Sequence, residues 1–510
     1  MKLKDILGTN QLRSQWESKG YLLPEFDIKH IRKNTYDSPT WVHFGAGNIF
    51  RAFPATILND ALNTGKYNKG VIVAETYDYD IIDQIYQPYD NLSLNVSLKS
   101  SGTIEKKVIA SVTESLKADP QFSDDWDRLK TIFRSPSLQM VSFTITEKGY
   151  RGPAMDKLCE LLYERFLAGR LPLTLQSMDN CSHNGDVLKE SLLSGAENMH
   201  GREFLDYLSD VTLISYPWSM IDKITPRPHP LVAQMLAEDG FEDNIIIETD
   251  KHTFTAPFVN AEEVQYLVCE DNYTNGRPPL DLGGVLYTSR ETVDKVETMK
   301  VTTCLNPLHT SMALFGCLLG YTSISEEMAD DDIRNLVLKL GYMEAMPVVT
   351  DPGVINPYEF IGDVVYKRLP NPFMPDTPQR IAMDTSQKLP IRFGETIKKY
   401  LSRGMDMSRL TLIPLTLAAY ARYLCGIDDQ GNSFTPSPDP MLASLQALVA
   451  PLSPLEDSQD FSRLRKLYSR SDIFGVNLCE TSLMPRIEQM VRELFAGKGA
   501  VRNTLHKYVK

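Results

Sequence analysis

The stretch WVHFGAGNIFRAF, residues 41–53, joins a short apolar run to two closely spaced glycines and then to a segment with helical spacing. Gly45 allows the chain to turn sharply out of the predicted strand, and Gly47 allows the backbone to approach a ligand closely. A helix that begins near Asn48 presents free backbone N–H groups to an anion such as a pyrophosphate. A strand, a glycine turn and a helix in this order predict the first unit of a dinucleotide-binding fold.

Phe50 stands where the usual dinucleotide motif has its third glycine. That glycine permits close packing of the helix on the strand, and phenylalanine removes this option. Arg51 adds a positive charge to the first turn of the helix, within reach of a phosphate, and Pro54 is compatible only with an early helical position. Because two glycines also serve an ordinary strand–turn–helix, the motif alone leaves that plainer interpretation open.

Glu75 ends the second predicted strand, in GVIVAETYD at 70–78. An acidic residue at this place accepts hydrogen bonds from the ribose hydroxyls of a bound dinucleotide and repels the 2′-phosphate of NADP. It lies farther from Gly47 than the usual spacing of about 20 residues. The sequence therefore predicts NAD as the cofactor, with a surface glutamate that caps a turn as the alternative.

Apolar runs alternate with helical stretches through the N-terminal half of the chain, which favours a mostly parallel sheet with crossover helices. The predicted strands after the glycine turn are 70–78, 140–150, 171–180 and 210–218. The segment 85–115 is richer in strand signals and is expected to be an antiparallel insertion. From about Glu291 the periodicity is mainly helical. We predict an α/β, Rossmann-type N-terminal domain at 1–288 and a mainly α-helical C-terminal domain at 289–510.

Composition is that of an ordinary globular protein, with 42% hydrophobic and 23% charged residues in a chain of 510. The net charge of −13 argues against nucleic acid or an anionic membrane as a partner. The start of the chain lacks the apolar segment of a signal peptide, and the apolar stretches are too short to span a bilayer. Seven cysteines include no C-x-x-C pair, and eight histidines include no H-x-x-x-H pair. We therefore expect a cytoplasmic protein with reduced thiols and no metal.

A second candidate site lies in ETMKVTTCLNPLHT, residues 297–310. Asn306 followed by Pro307 is typical of an N-cap and the first position of a helix, which places His309 near the positive helix end, where a neutral imidazole is favoured. Lys300, just upstream, is a candidate general base if it is buried. Each residue alone has a structural interpretation, as a capping asparagine, a core histidine or a solvated lysine. Their occurrence together at the predicted domain boundary favours a catalytic site.

Taken in order, these motifs resemble those of the polyol-specific long-chain dehydrogenase family. The ordered set is FGAGNIFRAF, MDNCSHNG at 178–185, SMIDKITPRPHP at 219–230, the E-x-x-K that ends at Lys300 and the N-x-x-H at 306–309. The family's turn is G-x-G-x-x-x-R-A, so Arg51 belongs to the motif and a third glycine is absent throughout the family. The resemblance covers residues 40–400 and implies that NAD(H) interconverts a secondary alcohol and a ketone without a metal.

By resemblance, Lys300 is the general base in alcohol oxidation and the acid in ketone reduction. Asn306 and Asn184 donate to the developing alkoxide, and His309 holds a neighbouring hydroxyl or orients Lys300. The other residues that the family pattern implies are Asp222, Glu147, Arg380 and Lys388 for the substrate, and Gly45, Gly47, Asn48, Ile49, Arg51 and Glu75 for NAD.

Each of these matches also has a structural interpretation. Asn184 begins a dipeptide, Asn-Gly, that is common in turns. Asp222 can pair with Lys223 instead of binding substrate or tuning the lysine. Arg380 and Lys388 can be solvated charges, although they also suit polyol hydroxyls or the carboxylate of a sugar acid.

One departure from the family concerns spacing. The family pattern is K-x4-N-x2-H, whereas five residues separate Lys300 from Asn306 here. Either the additional residue is accommodated before Asn306, or Val301 occupies the family position and proton transfer is lost. Glu297, three residues before Lys300 as in the family, favours Lys300, and Lys295 is a further candidate.

The segments GAGNIFRAF and KVTTCLNPLHT are more similar to bacterial fructuronate-reductase-like members than to mannitol 2-dehydrogenases, which implies D-fructuronate and D-mannonate as substrate and product in hexuronate breakdown. Tagaturonate, fructose or mannitol, and a phosphorylated hexitol stay open as substrates, as does an NAD-binding regulator without catalysis. The sugar acid or polyol is expected in a cleft between the two domains. Many relatives are monomers, so a monomer is expected.

Overall fold

In a computed structural model, the chain is described from Met1 to Lys510 except for Thr9, Thr146, Arg151, Asn198, Asp457 and Ser458, and only the backbone is described for Glu147 and Lys148. The chain divides into two units, Met1–Asp294 and Lys295–Lys510. Among the described residues, every helix is too short or too polar to cross a membrane.

The first unit is α/β. Its strands are β1 (Tyr21–Leu22), β2 (Trp41–Phe44), β3 (Val71–Glu75), β4 (Ser93–Leu98), β5 (Ile104–Ile109), β6 (Val112–Lys117), β7 (Met140–Phe143), β8 (Leu173–Ser177), β9 (Ile214–Ser215), β10 (Ser219–Asp222), β11 (Ile247–Glu248), β12 (Phe254–Thr255), β13 (Phe258–Glu262), β14 (Tyr266–Glu270) and β15 (Leu286–Thr288). Its helices are α1 (Asn10–Ser18), α2 (Ile28–Asp37), α3 (Asn48–Ala52), α4 (Pro54–Asn63), α5 (Ser123–Arg134), α6 (Pro153–Leu167), α7 (Asn184–Ala196), α8 (Arg202–Ser209) and α9 (Pro230–Glu238).

The main sheet has the strand order β6-β3-β2-β7-β8-β9, and every neighbouring pair is parallel. The chain proceeds outward from β2 to one edge and then returns to build the other half from β7. This order is that of a Rossmann fold, in which ligands bind beyond the carboxyl ends of the two central strands. The structure confirms the predicted parallel sheet with crossover helices.

Both faces of this sheet are covered, so its strands are apolar on both sides. Val42 and Phe44 of β2 pack into one core, with residues of α5, α6 and α7. Trp41, on the opposite face of the same strand, packs into a second core with residues of α4. This arrangement explains why the strands appear in the sequence as continuous apolar runs instead of alternating ones.

The segment 85–115 is only partly an insertion. Strands β4 and β5 pair antiparallel with each other, as predicted, and belong to a separate sheet of order β1-β5-β4-β13. Strand β6 instead pairs parallel with β3 at the edge of the main sheet. The prediction was wrong for β6 because a short alternating strand does not specify its partner by its own sequence.

In the usual motif the third glycine lets the helix pack directly on the strand. Here the side chain of Phe50 lies between the helix and the strand instead. Its ring is fully buried and stacks on His43 of β2, with ring centroids 4.2 Å apart and planes inclined by 13°. The two ring nitrogens of His43 lie 2.6 Å from Ser142 Oγ and 2.8 Å from Thr144 Oγ1. Burial lowers the pKa of His43 to about 3, so its ring is neutral at physiological pH.

Pro54 does not sit inside the helix that follows the glycine turn. Helix α3 ends at Ala52, and Phe53 leaves helical geometry with φ of −127° and ψ of −75°. Pro54 then opens α4 near its first position, where its missing N–H has no intrahelical partner to lose. The predicted helix from Asn48 is therefore two helices with a break at Phe53.

The second unit is helical. Its helices are the end of α10 (Arg290–Met299), α11 (Asn306–Leu319), α12 (Ile324–Ala329), α13 (Asp331–Lys339), α14 (Pro357–Asp363), α15 (Pro378–Ile381), α16 (Thr385–Leu389), α17 (Glu395–Ser402), α18 (Leu412–Leu424), α19 (Leu442–Val449), α20 (Leu464–Tyr468), α21 (Ser471–Phe474), α22 (Met484–Leu494) and α23 (Ala500–Val509). π-Helical turns occur at Lys300–Cys304, Leu340–Ala345, Val364–Arg368 and Pro390–Gly394.

Helices α11 and α18 form the interior of the second unit, and every residue of α18 is buried. A carboxylate from another segment caps α18: Glu344 accepts hydrogen bonds from the backbone N–H groups of Leu412 at 2.6 Å and Ile413 at 2.9 Å. The interior helix thereby keeps its first N–H donors bonded away from water.

We predict that Phe50→Gly, which restores the usual third glycine, lowers the free energy of unfolding by about 3–5 kcal/mol, because it leaves a cavity beside His43. Urea denaturation followed by circular dichroism measures the change. Phe50→Leu is the matched control and is expected to lose less than half as much. Equal stability of Phe50→Gly and the wild type would contradict the packing role.

We also predict that His43 makes stability depend on pH. Because its folded-state pKa lies below the unfolded value of about 6.5, the unfolded chain binds the additional proton, and stability falls by about 1.4 kcal/mol for each pH unit below 6.5. Unfolding free energies measured at several pH values between 7 and 5 should therefore decline more steeply in the wild type than in His43→Gln. Parallel declines would contradict this prediction.

Candidate functional site

Gly45 brings the end of β2 against the end of β7. It adopts φ of +107°, which L side chains rarely tolerate. A Cβ atom here would lie 2.9 Å from the carbonyl oxygen of Thr144. Its own N–H donates to the carbonyl of Ala74 at 3.0 Å, which links the turn to β3. Glycine is required at this position by both backbone conformation and close approach.

Gly47 meets a different requirement. It precedes α3 with an ordinary φ of −73°. A Cβ atom built there lies more than 4 Å from every neighbouring heavy atom among the described residues. The space beside Gly47 is therefore open, and a ligand backbone or phosphate fits where a side chain would stand.

A cavity of about 380 Å³ lies in the first unit at the carboxyl ends of the central strands. Its walls include Ile49 after the glycine turn, Thr144 after β7, and Met178 and Asp179 after β8. These places are the ones that a dinucleotide occupies in a Rossmann fold. The glycine turn and this cavity together fit NAD; Ile49 lines the cavity, and its contact with the cofactor stays a prediction.

Arg51 is buried and bonded within the protein. Its guanidinium donates to the carbonyl of Ala256 at 2.7 Å, to Thr255 Oγ1 at 2.9 Å and to Asn48 Oδ1 at 2.8 Å. The Asn48 amide donates in turn to the carbonyl of Phe254 at 3.2 Å. In this structure the pair fastens the glycine turn to the 254–256 segment, and contact of either residue with a phosphate stays a prediction.

Glu75 also bonds to the backbone around it. Oε2 accepts from the N–H of Ala46 at 2.8 Å, and Oε1 accepts from the N–H groups of Thr76 at 3.0 Å and Tyr77 at 2.9 Å. Burial raises the pKa of this carboxyl, and the N–H donors oppose part of the rise because they favour the charged form. Glu75 therefore holds the glycine turn to the end of β3, and its contact with ribose stays a prediction.

Asn184 is the first residue of α7 and is fully buried, so the interpretation as a simple turn dipeptide is wrong. Its amide donates to the carbonyl of Asp179 at 3.2 Å and to Ser219 Oγ at 3.0 Å, and its oxygen accepts from the N–H of Ser219 at 3.0 Å. Donation to an alkoxide stays a prediction and requires one of these bonds to be exchanged.

Two further predicted substrate residues lie in the first unit. Asp222 ends β10 and is 6% exposed. The following residue, Lys223, donates to the carbonyl of Glu262 at 2.6 Å and lines the cavity. Glu147 begins a 3₁₀ turn, but its side chain lies outside the described residues. The roles of Asp222 and Glu147 stay predictions.

Lys300 opens a π-helical turn that ends at Cys304. The N–H of Leu305 bonds to the carbonyl of Lys300 at 3.1 Å, five residues earlier instead of four. A π turn holds one residue more than an α turn. A turn of this kind provides room for one additional residue between Lys300 and Asn306, which supports the first alternative for the spacing, and the role of Lys300 stays a prediction.

Asn306 does not cap the helix, contrary to the sequence prediction. Helix α11 begins at Asn306, and Leu305 stands at the cap without a side-chain hydrogen bond. Among the described residues none hydrogen-bonds the half-buried amide of Asn306, so this amide is available to a ligand. His309 lies one turn further along α11 and is also half-buried.

The two residues of the predicted substrate pair, Arg380 and Lys388, differ from each other in exposure and in hydrogen-bond partners. Arg380 Nε donates to Asp376 Oδ1 at 2.5 Å, and its side chain is 65% exposed. Lys388 Nζ instead donates to the carbonyls of Ile381 at 3.1 Å and Met383 at 2.5 Å. Burial lowers the pKa of Lys388 to about 8, and the charge of Arg392 contributes to the decrease.

Arg392 is a residue that the motifs did not indicate. Its Nη1 donates to Thr310 Oγ1 at 2.6 Å and to the carbonyl of Asn306 at 3.3 Å, both among the first five residues of α11. Its position four residues after Lys388 in a helical segment was the available sequence signal.

Metal ligands were not predicted. Within the described parts of the chain, no three His, Cys, Asp or Glu side chains are grouped so as to hold a metal ion. A metal-independent reaction stays a prediction.

Comparisons with known proteins agree with this arrangement. The mannitol dehydrogenase Rossmann domain matches residues 39–282, and the mannitol dehydrogenase C-terminal domain matches residues 292–495. The chain is 48% identical to a D-mannonate oxidoreductase of Thermotoga maritima, over 98% of this chain and 97% of that protein.

Solved structures give the same result for the fold. A Pseudomonas fluorescens mannitol 2-dehydrogenase in a ternary complex with NAD and D-mannitol matches with a TM-score of 0.65 and 25% identity over 96% of each chain. A substrate-free D-sorbitol dehydrogenase matches with a TM-score of 0.76 and 22% identity, over 96% of this chain and 98% of that chain. The family resemblance and the Rossmann-type and helical units predicted from the sequence are thereby confirmed, and the chain belongs to the mannitol dehydrogenase family.

Proposed function

We propose that this protein is an NAD-dependent oxidoreductase that interconverts D-fructuronate and D-mannonate, with Lys300 as the acid and base. The observation that carries the substrate assignment is the 48% identity to a D-mannonate oxidoreductase over nearly the whole chain. The family itself makes the chain a polyol or sugar-acid dehydrogenase with NAD as its cofactor. We also propose that the protein acts in the cytoplasm, in the breakdown of hexuronates, and that it is a monomer.

NAD, when bound, supplies the hydride acceptor and NADH the hydride donor. Gly47 would admit the pyrophosphate to the backbone, since the space beside its Cα is open. Ile49 and Thr144 would line the nucleotide site as walls of the cavity. Arg51 and Glu75 would contribute by holding the glycine turn in place, through the hydrogen bonds that each makes with the backbone.

The protein's own chemical task is to move a proton. Reduction of the ketone adds a hydride to carbon and a proton to oxygen, and oxidation removes both. Lys300 would donate the proton in reduction and accept it in oxidation. The amide of Asn306 would donate a hydrogen bond to the same oxygen while negative charge develops there.

Support for these roles comes from the local structure. The π-helical turn begins at Lys300 and ends just before α11, so the longer spacing leaves Lys300 and Asn306 at the two ends of one turn. The Asn306 amide is not used for helix capping, which leaves its N–H groups for an oxyanion. Val301, the alternative at the strict family spacing, cannot transfer a proton.

We predict that Lys300→Ala lowers kcat for D-fructuronate reduction by about 10²–10⁴-fold, the usual contribution of a positioned acid or base. The decrease in NADH absorbance measures the rate, and NADH fluorescence measures binding, which should change by less than about threefold. Lys398→Ala, at an exposed lysine, is the control. Lys295→Ala tests the other candidate lysine, and a larger loss in Lys295→Ala than in Lys300→Ala would assign the role to Lys295.

We further predict that Gly47→Ala weakens NADH binding by about tenfold or more, because a methyl group would occupy the space of the pyrophosphate. Its unfolding free energy should change by no more than about 1 kcal/mol, as expected at a helix cap. Gly45→Ala should instead destabilise the fold, since it combines a positive φ with a clash at Thr144. Unchanged NADH affinity in a folded Gly47→Ala protein would contradict the placement of the cofactor.

A further inference from the structure

We infer that Lys388 and Arg392 form a carboxylate-recognition site, which binds the acid group of a sugar-acid substrate and distinguishes it from a neutral polyol. The inference rests on the proposed function and specifies how the second unit selects its substrate. Arg392 is the determinant in this pair, since it is fixed directly to the helix that carries Asn306.

The two cations are neighbours on one helical segment. Lys388 belongs to α16, and Arg392 lies four residues later in the π-helical turn Pro390–Gly394, which continues α16 without a break. Residues four apart in a helix lie on the same side. The charge of Arg392 acts on Lys388 and contributes to its lowered pKa, so the two groups share one local environment.

Arg392 is held in place by one edge of its guanidinium. Nη1 donates to Thr310 Oγ1 and to the carbonyl of Asn306. Nε and Nη2 donate to no described residue, and they are not among the buried side-chain nitrogens that lack a partner. These nitrogens therefore remain accessible, and a guanidinium with one fixed edge and one accessible edge matches the paired oxygens of a carboxylate.

Within the described part of the chain, the pair also has no counter-ion. No carboxylate of the described chain lies within 4 Å of Lys388 or Arg392, and Asp384 and Asp439 act on Lys388 only from beyond that distance. Burial lowers the pKa of Arg392 to about 10. Two partly desolvated cations without a counter-ion are unfavourable, and a bound anion removes that cost.

Arg380 differs from Lys388 and Arg392 in its exposure and in having a counter-ion. It is mostly exposed and already paired with Asp376. The carboxylate of a substrate would have to compete with Asp376 for Arg380, whereas it would meet no competing acid at Arg392. The structure therefore favours Arg392 over Arg380 as the partner of Lys388.

D-fructuronate and D-fructose provide the test, because they differ in whether one chain end is a carboxylate or a hydroxymethyl group. In Arg392→Gln, we expect the ratio of kcat/KM for fructuronate to kcat/KM for fructose to fall by about 30-fold or more. Arg403→Gln, at an exposed arginine of the same unit, is the matched control and should leave the ratio unchanged. Arg380→Gln is measured beside them and should change the ratio less than Arg392→Gln.

An unchanged ratio in Arg392→Gln, or a larger shift in Arg380→Gln, would overturn the inference. NADH affinity and melting temperature establish that each variant is folded. If Arg392→Gln does not fold, Arg392→Lys replaces it; this variant keeps the charge but loses the planar fork, so its ratio should also fall.

A different experimental result would show that the proposed function, and not the carboxylate site, is wrong. Wild-type protein that reduces fructose but not fructuronate would reject the assigned substrate while leaving the anion site testable. In that case, D-gluconate should raise the melting temperature of the wild type more than the neutral polyol D-sorbitol does, and Arg392→Gln should lose this difference. Equal effects of gluconate and sorbitol on the wild type would overturn the carboxylate site itself.

Discussion

The hydrogen bonds of His43 are the interaction on which the nucleotide side of this protein depends. His43 lies on β2 and bonds to Ser142 and Thr144, which belong to β7 and the residue after it. Ser142 Oγ also accepts a hydrogen bond from the indole of Trp41 at 2.7 Å. Burial keeps the imidazole neutral, its two hydrogen bonds fix its orientation, and Phe50 packs on its face. One buried ring therefore links the two central strands through side-chain hydrogen bonds and provides the surface on which Phe50, in the helix after the glycine turn, packs.

Much of the fold was predictable because burial on both faces of the sheet leaves long apolar runs. The strands that begin at Trp41, Val71, Met140 and Leu173 are all of this kind, and turn residues separate them. The sequence-based prediction was wrong where tertiary contacts determine the local structure or the pairing of a strand. The partner of β6 is β3, about 40 residues earlier in the chain, and the sequence of β6 alone does not specify it.

For the candidate site, the sequence indicated residue types but not their partners. Arg51 and Glu75 were predicted to face the cofactor because phosphate and ribose need a cation and an acid, yet in the structure each bonds to nearby backbone. Arg392 was missed for the opposite reason. It is one of 53 lysines and arginines, and only the structure shows that it is half-buried, has no carboxylate within 4 Å among the described residues and is bonded to α11. The sequence shows that a residue is charged, whereas the fold determines which residue, if any, is its counter-ion.

The π-helical turn at Lys300–Cys304 has a consequence for how this family is compared. Adding one residue inside an α-helix rotates everything beyond it by about 100°. Here the wider turn absorbs that rotation, and Asn306 and His309 still open α11 at its first turn. An alignment that runs back from Asn306 without a gap sets Val301 at the position of the family lysine. A gap placed within the π-helical turn sets Lys300 there instead, so a comparison across this junction depends on where the helical phase changes.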